Sequence, residues 1–346
     1  MLITTDYITP AELTGYARAA LADIEQNQFT LSAFLPSEPV DDLQYRFTRG
    51  GQGLAEAASF RSYDAESSIA SRPGATRVTG ELPPVSRKIK LSEYDRLRQR
   101  SLDESIRNSI FNDTDRMVQA VAARIELARG AALATGKVTL NEDGVIGEVD
   151  FGRRSAHTNV APGTLWSVAA SATPIADLIA WRKTYRANNG GTNPGAILTS
   201  ETVLAHILRA AEVRNLVSVG ATAPSIVSPA ALNTLLAAYN LPPIVLNDAQ
   251  INVRNSSSGV VTASRVIPES NVILLPAAGD TQLGGTFWGT TAESLEPEYE
   301  LTGEEPGIVA GAYSTKDPVA VWTKAAGIAL PVLANPDLTF QAVVTA

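Results

Sequence analysis

Residues 101–136 read SLDESIRNSIFNDTDRMVQAVAARIELARGAALATG. Ile106, Ile110, Met117, Val118, Val121, Ile125 and Ala128 recur at spacings of three and four, with one short gap. That is the apolar stripe of an amphipathic helix. Ser101 and Glu104 make a capping-box pattern at its start, and Gly136 ends it. At ~1.5 Å per residue the helix is roughly 45–50 Å long. Ile106, Ile110, Val118, Val121 and Ile125 are its expected core residues. No other segment predicts so long an element, so the fold is organised around this one.

Downstream, Val138 to Phe151 predicts a β-hairpin turning at Asn141-Glu142-Asp143-Gly144, because Asp-Gly suits a tight turn. Residues 174–300 alternate helix and strand signals. Thr173-Pro174 opens a helix carrying Ile175, Leu178, Ile179 and Trp181, and further helices are expected near 201–213 and 229–239. Ala196–Leu198, Pro243–Leu246, Val260–Ala263 and Val272–Leu275 read as strands, which makes this an α+β block. After Asp317, Val319–Trp322, Ile328–Leu333 and Leu338–Val344 are strand-like.

Upstream, Thr9-Pro10-Ala11-Glu12 starts a helix, with Thr9 as cap and Glu12 placed to complete a capping box. Phe29 to Phe47, broken by Pro36 and Pro39, reads as an extended arm. Residues 48–86 are rich in glycine, proline and small polar residues, with short alternating pieces such as Ser59–Tyr63. Such a two-stranded excursion cannot be stable alone and needs a partner surface.

The chain has 346 residues, 45% of them hydrophobic and 18% charged, which fits a folded protein of several subdomains. No apolar run approaches the roughly 20 residues of a membrane span, and the N-terminus lacks a secretory pattern. There is no cysteine, so disulfides and thiolate chemistry are excluded. With only His157 and His206, hydrolytic triads and transition-metal centres are disfavoured, whereas an acidic enzyme using paired carboxylates stays open.

Charge is segregated along the sequence. The net charge is −8, against the basic face that gripping phosphates requires. Residues 1–45 hold seven acids and one base, and 293–305 hold six glutamates and no base. Residues 46–100 hold eleven bases and six acids, a net +5. Opposite blocks within one chain suit contacts between copies, with Arg72, Arg77, Arg87, Lys88 and Lys90 facing acids such as Glu296 and Glu298.

Other motifs carry little chemistry. Gly50-Gly51-Gln52-Gly53 and Gly284-Gly285 lack phosphate-loop spacing and read as structural glycines. Asp113 and Asp115 point about 200° apart on a helix and cannot share one ion. The glutamates of 293–305 lack calcium-loop spacing. His157 and His206 read as surface or hydrogen-bonded bystanders, and Trp166, Trp181, Trp288 and Trp322 as packing anchors. No catalytic, cofactor or metal residue is expected.

Two ordered motifs remain. Val149-Asp150-Phe151-Gly152-Arg153 leads to Gly163-Thr164-Leu165-Trp166-Ser167, and the C-terminal part runs through Asp317-Pro318, Pro331-Val332-Leu333 and Asn335-Pro336-Asp337. With the Thr135-Gly136-Lys137 exit from the long helix, these resemble the major capsid proteins of lambda-type tailed bacteriophages, over roughly residues 20–346. The resemblance is to residues outside 174–300 and to architecture within it.

The resemblance implies an α+β fold of the Hong Kong 97 type. Its parts would be an N-terminal arm (1–47), an extended loop (48–100), a peripheral domain with the spine helix (101–173), an axial domain (174–300) and a return to the peripheral domain (301–346). It implies hexamers and pentamers of an icosahedral shell enclosing double-stranded DNA, without sequence-specific binding. Partners would be other copies of the chain, a scaffolding protein, a portal and, in some shells, a decoration protein. Met1 stands close before the arm, so a separate scaffold is expected. Location in the virion, after assembly in a host cytoplasm, follows. Some relatives of the fold cross-link an extended-loop lysine to a neighbour's asparagine, whereas the lambda type does not, and Lys88 and Lys90 sit at the base of the loop. An encapsulin-like nanocompartment shell shares the fold and is the alternative reading.

Overall fold

The computed structural model describes residues 2–3, 7–49, 76–99, 103–142, 145–218, 224–254, 258–301, 305–317 and 319–346. Gly50, Gly51, Gly53, the Ser59–Tyr63 strand candidate, Arg72, the Ser101 cap and the Asp143-Gly144 turn lie outside these residues. In chain order the first elements are β1 (Leu2–Ile3), α1 (Pro10–Asn27), β2 (Ser37–Pro39), β3 (Gln44–Arg49), β4 (Thr76–Glu81), β5 (Pro84–Leu91) and α2 (Glu93–Gln99). The spine helix α3 (Asp103–Thr135) and the hairpin β6 (Lys137–Glu142) and β7 (Val145–Asp150) follow. Next come α4 (Pro174–Asn188), β8 (Ala196–Thr199), α5 (Glu201–Arg209), α6 (Ala211–Val217), α7 (Pro229–Ala238) and β9 (Ile244–Leu246). Then follow β10 (Gln250–Arg254), β11 (Val261–Arg265), β12 (Asn271–Leu275), β13 (Gly284–Gly289) and α8 (Ala292–Leu295). The chain closes with β14 (Val309–Lys316), β15 (Val319–Leu333) and β16 (Phe340–Val343).

Two cores share α3. In the first, Ile106, Ile110, Met117, Val118, Val121, Ala122 and Ile125 of α3 pack with Leu13, Ala17, Leu21 and Ile24 of α1. Both helices lie on one face of a six-stranded sheet of order β1-β14-β15-β13-β2, with β5 also on β15. The gap in the α3 stripe is filled by Thr114, fully buried because its hydroxyl donates to the Ile110 carbonyl at 2.8 Å. In the second core, Ala128, Ala132 and Leu133 at the end of α3 meet Trp166, Ile175, Leu178, Trp181 and the buried strands of a four-stranded sheet, β16-β12-β8-β9.

Several strands lie elsewhere than the sequence order suggests. β5 falls inside the segment read as extended loop, yet it pairs along its length with β15, because Val85, Ile89 and Leu91 alternate toward the helices. β13 falls inside 174–300 but belongs to the large sheet, antiparallel to β15. β16 falls inside 301–346 but pairs with β12 in the other sheet, Phe340 opposite Leu274. Gly284-Gly285, weighed above as a loop, begins β13; a Cβ on Gly284 would stand 2.1 Å from the Val332 carbonyl oxygen, so glycine is required for the strands to close.

The arm reading also changes. Thr9 caps α1 as expected, accepting from Glu12 N–H at 3.2 Å. The Glu12 carboxylate does not close the capping box; it takes Arg107 of α3 at 2.9 Å. Residues 29–39 are docked rather than extended into solvent, because Leu31, Phe34 and Leu35 are buried in the second core. β3 and β4 form a separate two-stranded ladder, Gln44 opposite Glu81 and Arg49 opposite Thr76, which leads out to residues 50–75.

Candidate assembly surfaces

The motif residues carry structural work at the C-terminal end of the spine helix. Gly136 takes φ +72° as the helix exits, and a Cβ there would press on the Arg153 side chain at 3.0 Å. The Arg153 guanidinium donates to the last helical carbonyls, Leu133 at 2.8 Å and Ala134 at 2.7 Å, and to the hydroxyls of Thr339 and Thr158. A cation at a helix C-terminus satisfies orphan carbonyls and the helix dipole together. Burial pulls its pKa down to about 10, with Asp337 opposing, so it stays charged at neutral pH. Arg154 binds Asp337 through its backbone N–H (3.0 Å) and its guanidinium (2.8 Å). Trp166 donates to Asp177 at 2.9 Å. The two sequence motifs are thus one clamp, Gly-Arg-Arg on one side and Asn-Pro-Asp on the other, that joins helix exit, β16 and α4.

His157 belongs to this clamp. It is fully buried, with Nδ1 3.2 Å from the Thr339 carbonyl and Nε2 2.9 Å from the Asn188 amide. An amide donor at Nε2 and a carbonyl at Nδ1 select the neutral Nδ1–H tautomer, and burial lowers the pKa. It is hydrogen-bonded but not at the surface. Asp113 pairs with Arg116 at 3.4 Å, and Asp115 accepts from Tyr16 at 3.0 Å. Among the described residues no group of three or more His, Asp and Glu could hold a metal ion, and no helix is long and apolar enough to cross a membrane.

A second network escaped the sequence reading. Arg129 of α3 is 1% exposed and binds Glu25 of α1 at 2.6 Å, Ser37 of β2 at 2.9 Å and Thr286 of β13 at 2.8 Å. Glu126, one helical turn before it, is fully buried and accepts the Leu31 N–H at 3.0 Å. Its other oxygen stands 3.5 Å from Arg129 and makes no hydrogen bond. Burial raises the Glu126 pKa, while the Leu31 N–H and Arg129 hold it down and Glu25 adds to the rise. The signal in the sequence was an opposite pair at i, i+3 inside the apolar stripe, where ordinary surface charges do not fall.

Of the charged residues singled out above, Arg87, Lys88 and Lys90 divide between the two faces of the large sheet. Val321, Ala325 and Ala329 of β15 face the helices, as do Val85, Ile89 and Leu91 of β5. With period two, Trp322 and Lys324, and Lys88 and Lys90, point the other way. There Lys88 and Lys90 place their ammonium groups 4.8 and 5.8 Å from the centre of the Trp322 indole. Tyr313 of β14 stacks on the same ring, 6.4 Å between centroids. Arg87 lies on the helix side and lines a recess with Ala120, Val121 and Arg124, so it does not share a surface with the two lysines. Arg77 lies on β4.

The acidic segment folds over this same outer face. Tyr299 is buried against Gly311 of β14, where a Cβ would be 2.5 Å from the ring. Burial first, then Glu293, Tyr313, Glu298 and Glu296, push its phenol up to about 12. Glu293 pairs with Lys324, which stands opposite Lys88 in the strand register. Glu305 pairs with Arg18 of α1. Part of the acidic block is therefore matched within its own chain. Glu296 and Glu298 are exposed, without an ion pair to any described residue.

A model of the phage major capsid protein E family matches residues 11–344. The fold is also that of the protein assigned as a prophage capsid protein in Escherichia coli CFT073, with TM-score 0.63 at 15% identity, covering 96% of this chain and 99% of that one. A phage-related protein of Bordetella bronchiseptica RB50 matches with TM-score 0.58 at 12% identity, covering 99% and 97%. No curated protein sequence matches the chain. The expected Hong Kong 97-type α+β architecture is the one observed, and the lambda-type resemblance agrees with the family. With a long spine helix, two cores joined at its end and a family match over nearly its whole length, this chain belongs to the phage major capsid protein E family.

Proposed function

We propose that the chain closes into an icosahedral shell of hexamers and pentamers around double-stranded DNA. The observation that carries this is the β3–β4 ladder. It is a two-stranded sheet of its own, anchored in the second core by Tyr45 and Leu82. Two strands of this kind do not hold together in water without a covering surface, and in a shell a neighbouring subunit supplies it. The net charge of −8 suits a container that must let DNA enter and leave. Residues 1–47, 48–100, 101–173, 174–300 and 301–346 serve as arm, extended loop, peripheral domain, axial domain and return, with β5 and β13 crossing into the sheet beneath the spine helix and β16 into the other. A scaffolding protein and a portal direct assembly in the host cytoplasm, and a decoration protein is compatible with the exposed sheet face.

Sedimentation and negative-stain imaging of the chain, alone and with its scaffolding protein, test this. Closed particles are the expected result, and a stable monomer under every assembly condition would overturn it. Particles purified from infected cells carry DNA on this reading; particles loaded with enzyme instead would favour the nanocompartment.

A covalent prediction follows from where the loop lysines lie. Lys88 and Lys90 sit on β5 inside the large sheet and over Trp322, not at the tip of a loop reaching a neighbour. Mature particles boiled in detergent are expected to run as a single band near 36.5 kDa. A ladder of multimers would contradict this.

A further inference from the structure

The outer sheet face carries two charged features side by side that no described residue of their own chain matches. One is the pair Lys88 and Lys90, exposed on β5 above Trp322, with no carboxylate among the described residues within ion-pair distance. The other is the turn bearing Glu296 and Glu298, exposed beside the Glu293–Lys324 pair. Lys324 and Lys88 are register partners on adjacent strands, so platform and turn are neighbours. The in-chain Glu293–Lys324 pair shows that this turn and the sheet lysines fit each other chemically. An indole ring under two ammonium groups holds them in place, reducing the entropy lost when a carboxylate binds.

We infer that the Lys88–Lys90–Trp322 platform is the seat for the Glu296–Glu298 turn of a second copy of this chain. Because donor and acceptor surfaces lie beside each other on one face, a two-fold axis between copies makes the contact reciprocal: each turn sits on the other copy's platform. Every such pair is exposed and weak singly, but a reciprocal contact doubles it, and like-charge mismatch rejects other registers. Arg87, on the opposite face, takes no part. The inference rests on the shell reading above and names one contact within it.

Two variants test it, Lys88→Glu with Lys90→Glu and, separately, Glu296→Lys with Glu298→Lys. All four side chains are exposed, so circular dichroism and urea midpoints are expected to stay at wild-type values. Each variant alone opposes like charges in both halves of the contact, and particle yield by light scattering is expected to fall on the order of tenfold. Mixing the two restores opposite charges in both halves, so yield returns and the particles contain both chains in equal amounts. Arg87→Glu alone assembles like wild type. Normal assembly of either reversed variant at low salt, or failure of the mixture while both chains stay folded, would overturn the contact. Failure of the wild-type chain to assemble would instead count against the shell reading itself.

Discussion

Val121→Asp is expected to abolish folding. Val121 is 1% exposed, midway along α3, between α1 and the large sheet. A carboxylate there is stripped of water among the apolar side chains of α1, α3 and the sheet, and the cost is on the order of 4 kcal/mol or more. Whole domains are stable by only ~5–15 kcal/mol. Ile110→Asp, equally buried one stretch earlier, is expected to do the same. The control is Asn112→Asp, on the exposed side of the same helix, which is expected to change the unfolding free energy from urea titration by about 0.5 kcal/mol or less. Soluble, assembling Val121→Asp protein would show that this face is not core.

Arg129→Leu is the second large effect. It removes one cation and leaves Glu126 fully buried and Glu25 largely buried, with the hydroxyls of Ser37 and Thr286 deprived of a donor. Removing one partner of a buried ion pair typically costs about 3–5 kcal/mol. The loss has a direction in pH. The Glu126 carboxyl is already raised by burial, and without Arg129 it rises further, so the folded state holds its proton more tightly than the unfolded chain does. The variant is therefore expected to be least destabilised at acid pH and to lose stability as pH rises through the folded-state pKa. Glu126→Leu with Arg129→Leu removes the stranded charge too and is expected to be more stable than Arg129→Leu alone. Urea midpoints of the three proteins across pH 5–8 decide this; a double variant worse than the single would mean that the Leu31 N–H contact, and not the charge, governs the site.

The spine helix was legible because its register is local. Spacings of three and four from Ile106 to Ala128 suffice to make one helix with one buried stripe, whatever covers it. Thr9 was legible as a cap for the same reason, its hydroxyl needing only the N–H three residues on. The motif around Gly152-Arg153 could be recognised from sequence, but not explained. Its meaning is a guanidinium folded back over the helix exit and across to Thr339, 186 residues away.

What the sequence alone determined was therefore the α+β class, the long helix with its core face, the order of segments and the segregation of charge, all carried by neighbours along the chain. Tertiary structure decided the rest. It put β5 and β13 into one sheet with β15, took β16 into the other, docked residues 29–39 on the core and brought Glu25 of α1 to Glu126 and Arg129 of α3. It also split the basic block, because a strand sends alternate side chains to opposite faces: Arg87 to the helices, Lys88 and Lys90 to the open face. Counting charges along a sequence gives a sum for the block; only the pairing of β5 with β15 fixes which of those charges share a surface.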